Sequence, residues 1–196
     1  MSSQGVDPPL SPPPSGSPSA TPADLFIGSV TRLAEQFGYS MAELGEFESV
    51  LPEQLPDAYR VLLAHTGHMT VTLEAFHSSL VDVHVLQERS DESSYAREIV
   101  LTRHSDGAVV QYGLVRIWLA DLPADVRDEI RAQQSPLGRV LIRHGLLREV
   151  ELISFWQVTP GSAIAKQLGD ETVFGRSAQN LAQRKADHSA ARDRSC

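Results

Sequence analysis

The stretch that most constrains the fold is residues 95–123, YAREIVLTRHSDGAVVQYGLVRIWLADLP. Apolar and polar residues alternate on both sides of the Ser-Asp-Gly at 105–107, which is typical of strands. Asp-Gly is a strong hairpin signal because glycine takes the backbone angles that a tight turn requires. The stretch therefore predicts two antiparallel strands, and the rest of the chain has to pack against them.

Further strands and helices follow from hydrophobic periodicity. HMTVTLEAFH (68–77) and LVDVHVLQER (80–89) also alternate, so we expect them to form a second hairpin around the short link between them. Strand character returns at 147–158 and in ETVFGRSAQ. Helical spacing or start signals predict helices at 24–37, 55–65, 124–134, from 135 onward and at 161–169. We therefore expect an α+β fold, an antiparallel sheet of four to five strands built from hairpins, with helices packed on one side.

The two ends of the chain differ from its centre. Residues 1–23 are rich in Pro, Ser and Gly and offer almost nothing to bury, which predicts disorder. Residues 24–178 hold the predicted domain. The tail at 179–196 is polar and highly charged, so we expect frayed helix or disorder there rather than another core strand.

Charge and cysteine content exclude several classes of protein. The net charge of −8 argues against a general affinity for nucleic acid or for an anionic membrane surface. No apolar run approaches the roughly 18 residues of a membrane span, and no secretory signal is visible. The single cysteine, Cys196, excludes an internal disulfide and a cysteine-based metal cluster. His65 and His68 lack carboxylates at ligand spacing, so no metal is expected. We expect a cytoplasmic protein of unspecified oligomeric state.

The segment SPLGRVLI (135–142) is an unusual helix start. Ser135 and Pro136 are good start residues, yet Gly138 costs about 1 kcal/mol within the first turn. Arg139 adds a positive charge at the end that already carries the positive dipole. Exposed amides beside a cation suit an anion. The alternative is that the glycine lets this helix start pack tightly on a neighbouring element.

Four stretches together resemble the chorismate pyruvate-lyase family. They are LLAHTGHMT before a predicted strand, the hairpin YAREIVLTRHSDGAVVQYG, SPLGRVLI and VFGRSA, in the family's order and spacing from about residue 55 to 178. The resemblance implies a carbon-oxygen lyase that removes pyruvate from chorismate, leaving 4-hydroxybenzoate for ubiquinone-type biosynthesis. It implies no metal or cofactor, and a buried site between the sheet and two helical flaps. The effector-binding domain of a class of bacterial transcription regulators has a similar sheet.

The resemblance also assigns roles to individual residues. Met69 matches a methionine of the pocket wall, and Arg97 matches an arginine that pairs with the substrate carboxylate. Leu137 matches a leucine whose backbone meets the ligand, with Gly138 and Arg139 beside it. The small-molecule partner implied is chorismate or another aromatic carboxylate.

Two departures from the family matter. Leu114 stands where the best-known members place an arginine, and Arg116, two residues on along the same strand face, could replace it. Arg97 and Arg116 are therefore the predicted catalytic residues that hold the carboxylates. The family also ends with a strand that carries a glutamate used in the elimination, and no such strand follows Ala178. A shifted reading frame or a natural divergence would each explain this.

Three interpretations stay open. The first is the lyase, with Glu74 or Glu151 replacing the missing acid. The second is a non-catalytic module that binds a small aromatic carboxylate, in which case no acid is needed. The third is a sheet edge left open for association by the missing strand. Arg97 itself could also form a structural ion pair with Glu74, Glu149 or Glu151.

Overall fold

The computed structural model describes residues 22–91, 94–120, 122–146 and 150–180. The helices are α1 Pro22–Gln36, α2 Met41–Leu44, α3 Asp57–Leu63, α4 Met69–His77, α5 Ala124–Ala132, α6 Leu137–Arg143 and α7 Ser162–Leu168, with a 3-10 turn at Pro52–Gln54. The strands are β1 Gly45–Val50, β2 Val81–Ser90, β3 Ser94–Arg103, β4 Val109–Trp118, β5 Val150–Pro160 and β6 Val173–Asn180. The described chain is therefore α+β, as predicted. The assignment of residues 22–23 and 179–180 to the disordered or frayed ends is wrong, because they belong to α1 and β6. The rest of both predicted ends, 1–21 and 181–196, lies outside the described residues.

The six described strands form two antiparallel sheets of three strands each, so the expectation of one sheet of four to five strands is wrong. One has the order β2-β3-β4 and contains the predicted hairpin, which is confirmed. The other has the order β1-β5-β6, and its first strand was not predicted. Strand β1 starts at Gly45, whose φ of 129° and close contact with the carbonyl of Thr159 leave no room for a side chain. Glycine is required there because β1, β5 and α7 converge at this corner.

Helices cover both faces of the β2-β3-β4 sheet, so the expectation of helices on one side is wrong. Cross-strand partners share a face, which puts Tyr95, Ile99 and Ile117 on one side together. That face packs on α4, α5 and α6 through two apolar clusters. Tyr112 and Leu114 lie on the opposite face and pack toward α1 and α7. Strand β3 is consequently buried on both faces from residue 94 to 101.

The alternating segment at 68–77 is a helix, α4, and the predicted hairpin with the following strand is wrong. Thr70 and Leu73 are the buried residues of α4, and Leu73 packs against Val81 and Leu101. Val71 and Phe76, two apolar residues of the alternating pattern, are exposed on this helix. Contacts with the sheet and with α6 therefore override the local preference of β-branched residues for a strand.

The two sheets share apolar clusters. Trp156 and Val158 of β5 belong to the cluster on which Tyr112 and Leu114 of β4 pack. Met69 at the start of α4 packs against both the cluster below β3 and the cluster around Phe155 of β5. None of the helices in the described ranges has the length and apolar character needed to cross a bilayer.

Candidate functional site

Arg97 is the most unusual side chain of the β2-β3-β4 sheet. It lies on the central strand with 0 % of its surface exposed. None of its three guanidinium nitrogens has a hydrogen-bond partner among the residues that the structure describes. Burial lowers the pKa of Arg97, and the neighbouring Tyr95 acts in the opposite direction. A buried charge without a partner costs several kcal/mol, so Arg97 lowers the free energy of unfolding as long as nothing pairs with it.

The strand register places Arg97 between two apolar clusters. Its partner across the hairpin is Val115, which packs against both clusters on this face. Leu137, the first residue of α6, belongs to one cluster, and Met69, the first residue of α4, belongs to the other. The structure thus brings three of the predicted site residues, Arg97, Met69 and Leu137, to one face of the sheet.

Gly138 lies where α6 meets α4. A Cβ at this position would stand 2.7 Å from Oγ1 of Thr70 and 3.1 Å from its Cβ. The glycine therefore allows close packing of the two helix starts, the structural alternative raised by the sequence. No further observation supports an anion at these amides.

Arg139 links the same two helices. Its guanidinium forms an ion pair with Glu74 of α4 and donates to the carbonyl of Val81 at 3.4 Å. The Glu74 carboxylate also accepts from the backbone amide of Val81 at 3.2 Å. Both charges have partners, so Arg139 and Glu74 hold α4, α6 and β2 together. A ligand contact of Arg139 stays a prediction.

Arg116 lies on the opposite face of the sheet from Arg97. Its partner in the register is Ala96, whereas the partner of Arg97 is Val115. Its Nη2 donates to the side chain of Gln36 at 3.1 Å. Two arginines on adjacent strands converge only if their positions share a face. The expectation that Arg116 replaces the family's second arginine beside Arg97 does not fit this register.

The structure also bears on the acids considered as partners of Arg97. Glu74 is engaged by Arg139, Glu151 lies on β5 in the other sheet, and Glu149 lies outside the described residues. Sequence reasoning missed Glu88, which lies directly opposite Arg97 in the β2–β3 register. The sequence pattern already placed Glu88 on a predicted strand. Its pairing with Arg97 could be known only from the register of that strand against β3.

Glu88 is held in place at the rim of the Arg97 face. Its carboxylate accepts from the Tyr95 hydroxyl at 3.0 Å and from the side-chain amide of Gln133. Burial and the adjacent Glu88 raise the pKa of Tyr95, so this phenol keeps its proton and donates it. The Glu88 side chain is exposed, in contrast to Arg97. An acid at a solvent-accessible rim can exchange protons with water.

A second buried charge, Glu98, lies on the opposite face of the same strand. Its side chain is 2 % exposed. The carboxylate accepts from the Tyr112 hydroxyl at 3.0 Å and from the Tyr39 hydroxyl at 3.2 Å. Burial and the Glu98 charge raise the pKa of Tyr112 and of Tyr39. Sequence reasoning gave Glu98 no role.

Arg176, within VFGRSA, fixes the end of α3. Its guanidinium donates to the carbonyls of Leu63 at 3.0 Å and His65 at 2.7 Å, and burial lowers its pKa. Carbonyls at a helix C-terminus carry partial negative charge, so a cation there is stabilising. Burial and the Arg176 charge lower the pKa of His65. This motif therefore anchors β6 to the segment before α4.

Comparison of this chain with protein-family models and with curated proteins finds no match.

Proposed function

We propose that this protein binds a small aromatic or cyclohexadienyl carboxylate through Arg97, as a chorismate lyase-like protein. The observation that carries the proposal is the wholly buried guanidinium of Arg97, which has no hydrogen-bond partner among the described residues. Guanidinium matches a carboxylate through two parallel hydrogen bonds. A ligand carboxylate would supply the missing partner of this charge.

The surroundings of Arg97 favour a flat, largely apolar ligand body. Tyr95 and Ile99 flank Arg97 on its strand face, and Val115 lies opposite. Met69 and Leu137 belong to the apolar clusters on the two sides. A ring with one carboxylate suits a site made of apolar side chains and a single cation.

Elimination of pyruvate from chorismate requires an acid or base in addition to the cation. The ether C–O bond breaks, a ring proton leaves to give 4-hydroxybenzoate, and the departing enolpyruvate takes up a proton to become pyruvate. Glu88, opposite Arg97 in the register, is the side chain that we propose for this proton transfer. Tyr95 and Gln133 orient its carboxylate.

A non-catalytic binding module is the second candidate. It needs Arg97 and the apolar walls alone. The ion pair of Glu74 with Arg139 favours this candidate, because it removes one acid that could have replaced the family's glutamate.

Substitution of Arg97 tests ligand binding. Arg97→Met should weaken 4-hydroxybenzoate binding, measured by calorimetry, by at least about 30-fold, since loss of one partner of a buried charge pair costs about 2 kcal/mol or more. The same variant should be at least as stable as the parent protein without ligand, because it removes an uncompensated buried charge. Urea unfolding measures this second effect.

Arg116→Met is the matched control, because Arg116 lies on the adjacent strand but on the opposite face. It should keep its affinity for 4-hydroxybenzoate. Equal affinity of the parent and Arg97→Met proteins would refute the proposed site. A loss of affinity in both Arg97→Met and Arg116→Met would instead support the pairing of the two arginines that the sequence suggested.

Turnover separates the enzyme from the binding module. The purified chain is incubated with chorismate, and 4-hydroxybenzoate is followed by chromatography against a boiled control. Formation of product that Glu88→Gln abolishes, with binding retained, supports the lyase and the role of Glu88. Tight binding without product supports the binding module.

A further inference from the structure

We propose that the face of β3 opposite Arg97 carries a second binding site, which takes a small organic cation with an ammonium group. The site is the cleft of about 500 Å³ between this face of the sheet and α7. Glu98 lines it as a buried carboxylate. The inference is independent of the function proposed for Arg97, because the two side chains point to opposite faces of one strand.

The hydrogen bonds around Glu98 have a fixed direction. Nη2 of Arg89 can only donate, so the oxygen of the Gln87 side chain, 3.0 Å away, faces Arg89. The Gln87 amide nitrogen therefore faces Tyr39 and donates to its hydroxyl at 3.0 Å. The proton of Tyr39 is then directed at Glu98. Tyr112 donates as well, and two donors are what an ionised carboxylate accepts.

The charge of Glu98 has no cationic partner within the described parts of the chain. The ion pairs formed there involve other carboxylates, those of Asp57, Glu74, Asp82, Asp106, Asp125 and Glu129. Arg116 shares the face of Glu98, and its Nη2 donates to the side chain of Gln36. Two phenol hydroxyls stabilise the carboxylate without neutralising it. A cationic ligand in the cleft would supply the counter-charge.

The rest of the cleft fits a protonated amine better than a metal ion. Ser162 and Gln167 of α7, whose side chains carry oxygen acceptors, line the cleft together with the apolar Leu86 and Ala163. A metal ion requires several strong ligands, and the described residues hold no group of three or more His, Cys, Asp or Glu side chains that could bind one. An ammonium can donate to Glu98 and to neutral oxygens, and the tyrosine ring of Tyr39 is a suitable neighbour for a cation.

Lys166 of α7 also lines the cleft, and this residue is exposed to solvent. Its ammonium raises the potential of the cleft and opposes a cationic ligand. It forms no ion pair with Glu98. Lys166 therefore provides a substitution that should strengthen binding, opposite in sign to any substitution of Glu98.

Binding of phenethylamine to the full chain tests the proposal, with 3-phenylpropionate as an anion of similar size. Amide resonances of Gln87 and Lys166 should shift saturably with phenethylamine and not with 3-phenylpropionate. Glu98→Gln keeps the shape and should lower the affinity about tenfold or more, as expected for a desolvated charge pair. Lys166→Ala should raise the affinity several-fold.

Three results would overturn the proposal: no saturable shift of the Gln87 and Lys166 amides with phenethylamine at millimolar concentration, equal shifts of these amides with the anion, or equal phenethylamine affinity of the Glu98→Gln protein. If circular dichroism shows that Glu98→Gln does not fold, Lys166→Ala decides. Stronger binding then supports the cation site, and unchanged or weaker binding refutes it.

Discussion

Two neighbouring residues on β3 carry opposite charges into opposite faces of one sheet. Arg97 and Glu98 are both almost fully buried, yet their side chains cannot meet because adjacent strand residues point in opposite directions. Glu98 accepts hydrogen bonds from two phenol hydroxyls, whereas Arg97 donates none to a described residue. The fold therefore stabilises the charge of Glu98 through hydrogen bonds, whereas the described residues provide none for the charge of Arg97.

At the same scale, His65 should make the protein less stable in mild acid. Burial and Arg176 lower its pKa below 6.5, so the unfolded chain takes up its proton first as the pH falls. The free energy of unfolding should therefore decrease as the pH passes from about 7 toward 5, until the folded-state pKa is reached. Urea unfolding across this pH range should show that the free energy of unfolding decreases less for His65→Gln than for the parent protein.

Thr66→Ala provides the control, because Thr66 adjoins His65 in the loop between α3 and α4 and is exposed. Its pH profile should run parallel to that of the parent protein. Identical slopes for the parent and His65→Gln proteins would contradict the assignment.

At the scale of elements, the contact between α4 and α6 depends on one missing side chain. Gly138→Ala would ordinarily stabilise a helix by about 1 kcal/mol. Here the new methyl would meet Thr70 at 2.7 Å, so we expect a net loss of about 1–3 kcal/mol in the free energy of unfolding. Chemical denaturation measures this loss.

Two variants sharpen the test of Gly138. Thr70→Ala removes the hydroxyl at 2.7 Å, so the double variant should be more stable than additivity predicts. Gly28 lies in α1, where an added Cβ would be 3.9 Å from its nearest neighbour, Nη1 of Arg32. Gly28→Ala should therefore show the ordinary stabilisation. A stabilised Gly138→Ala protein would instead leave the anion interpretation of this helix start open.

At the scale of the whole molecule, the shared clusters predict one cooperative unit. The chain has two tryptophans, Trp118 in the β2-β3-β4 sheet and Trp156 in the β1-β5-β6 sheet. Trp118→Phe and Trp156→Phe each leave one reporter. For each variant, the fluorescence transition should coincide with its own far-ultraviolet circular dichroism transition. Separate midpoints would show that the sheets unfold independently.

Of the two buried charges on β3, Arg97 could be predicted as a site residue from the sequence, whereas Glu98 could not. The alternation of residues 97–101 puts Arg97 on the same strand face as Ile99 and Leu101, and in the structure these two residues belong to one apolar cluster. Neighbouring Glu98 was missed because a polar residue in an alternating strand normally faces water. It is buried because α1 and α7 cover the face that the sequence left to solvent.

What the sequence by itself determined is local. The Asp-Gly turn and its flanking alternation specify the β3–β4 hairpin, and start signals specify α5 and α6, because these signals act within a few residues. Register and packing decided the rest. They made 68–77 a helix, set Arg116 on the face opposite Arg97, and placed Glu88 across from it. Such outcomes depend on contacts between distant segments, whose free energies exceed the small local preferences that a sequence pattern records.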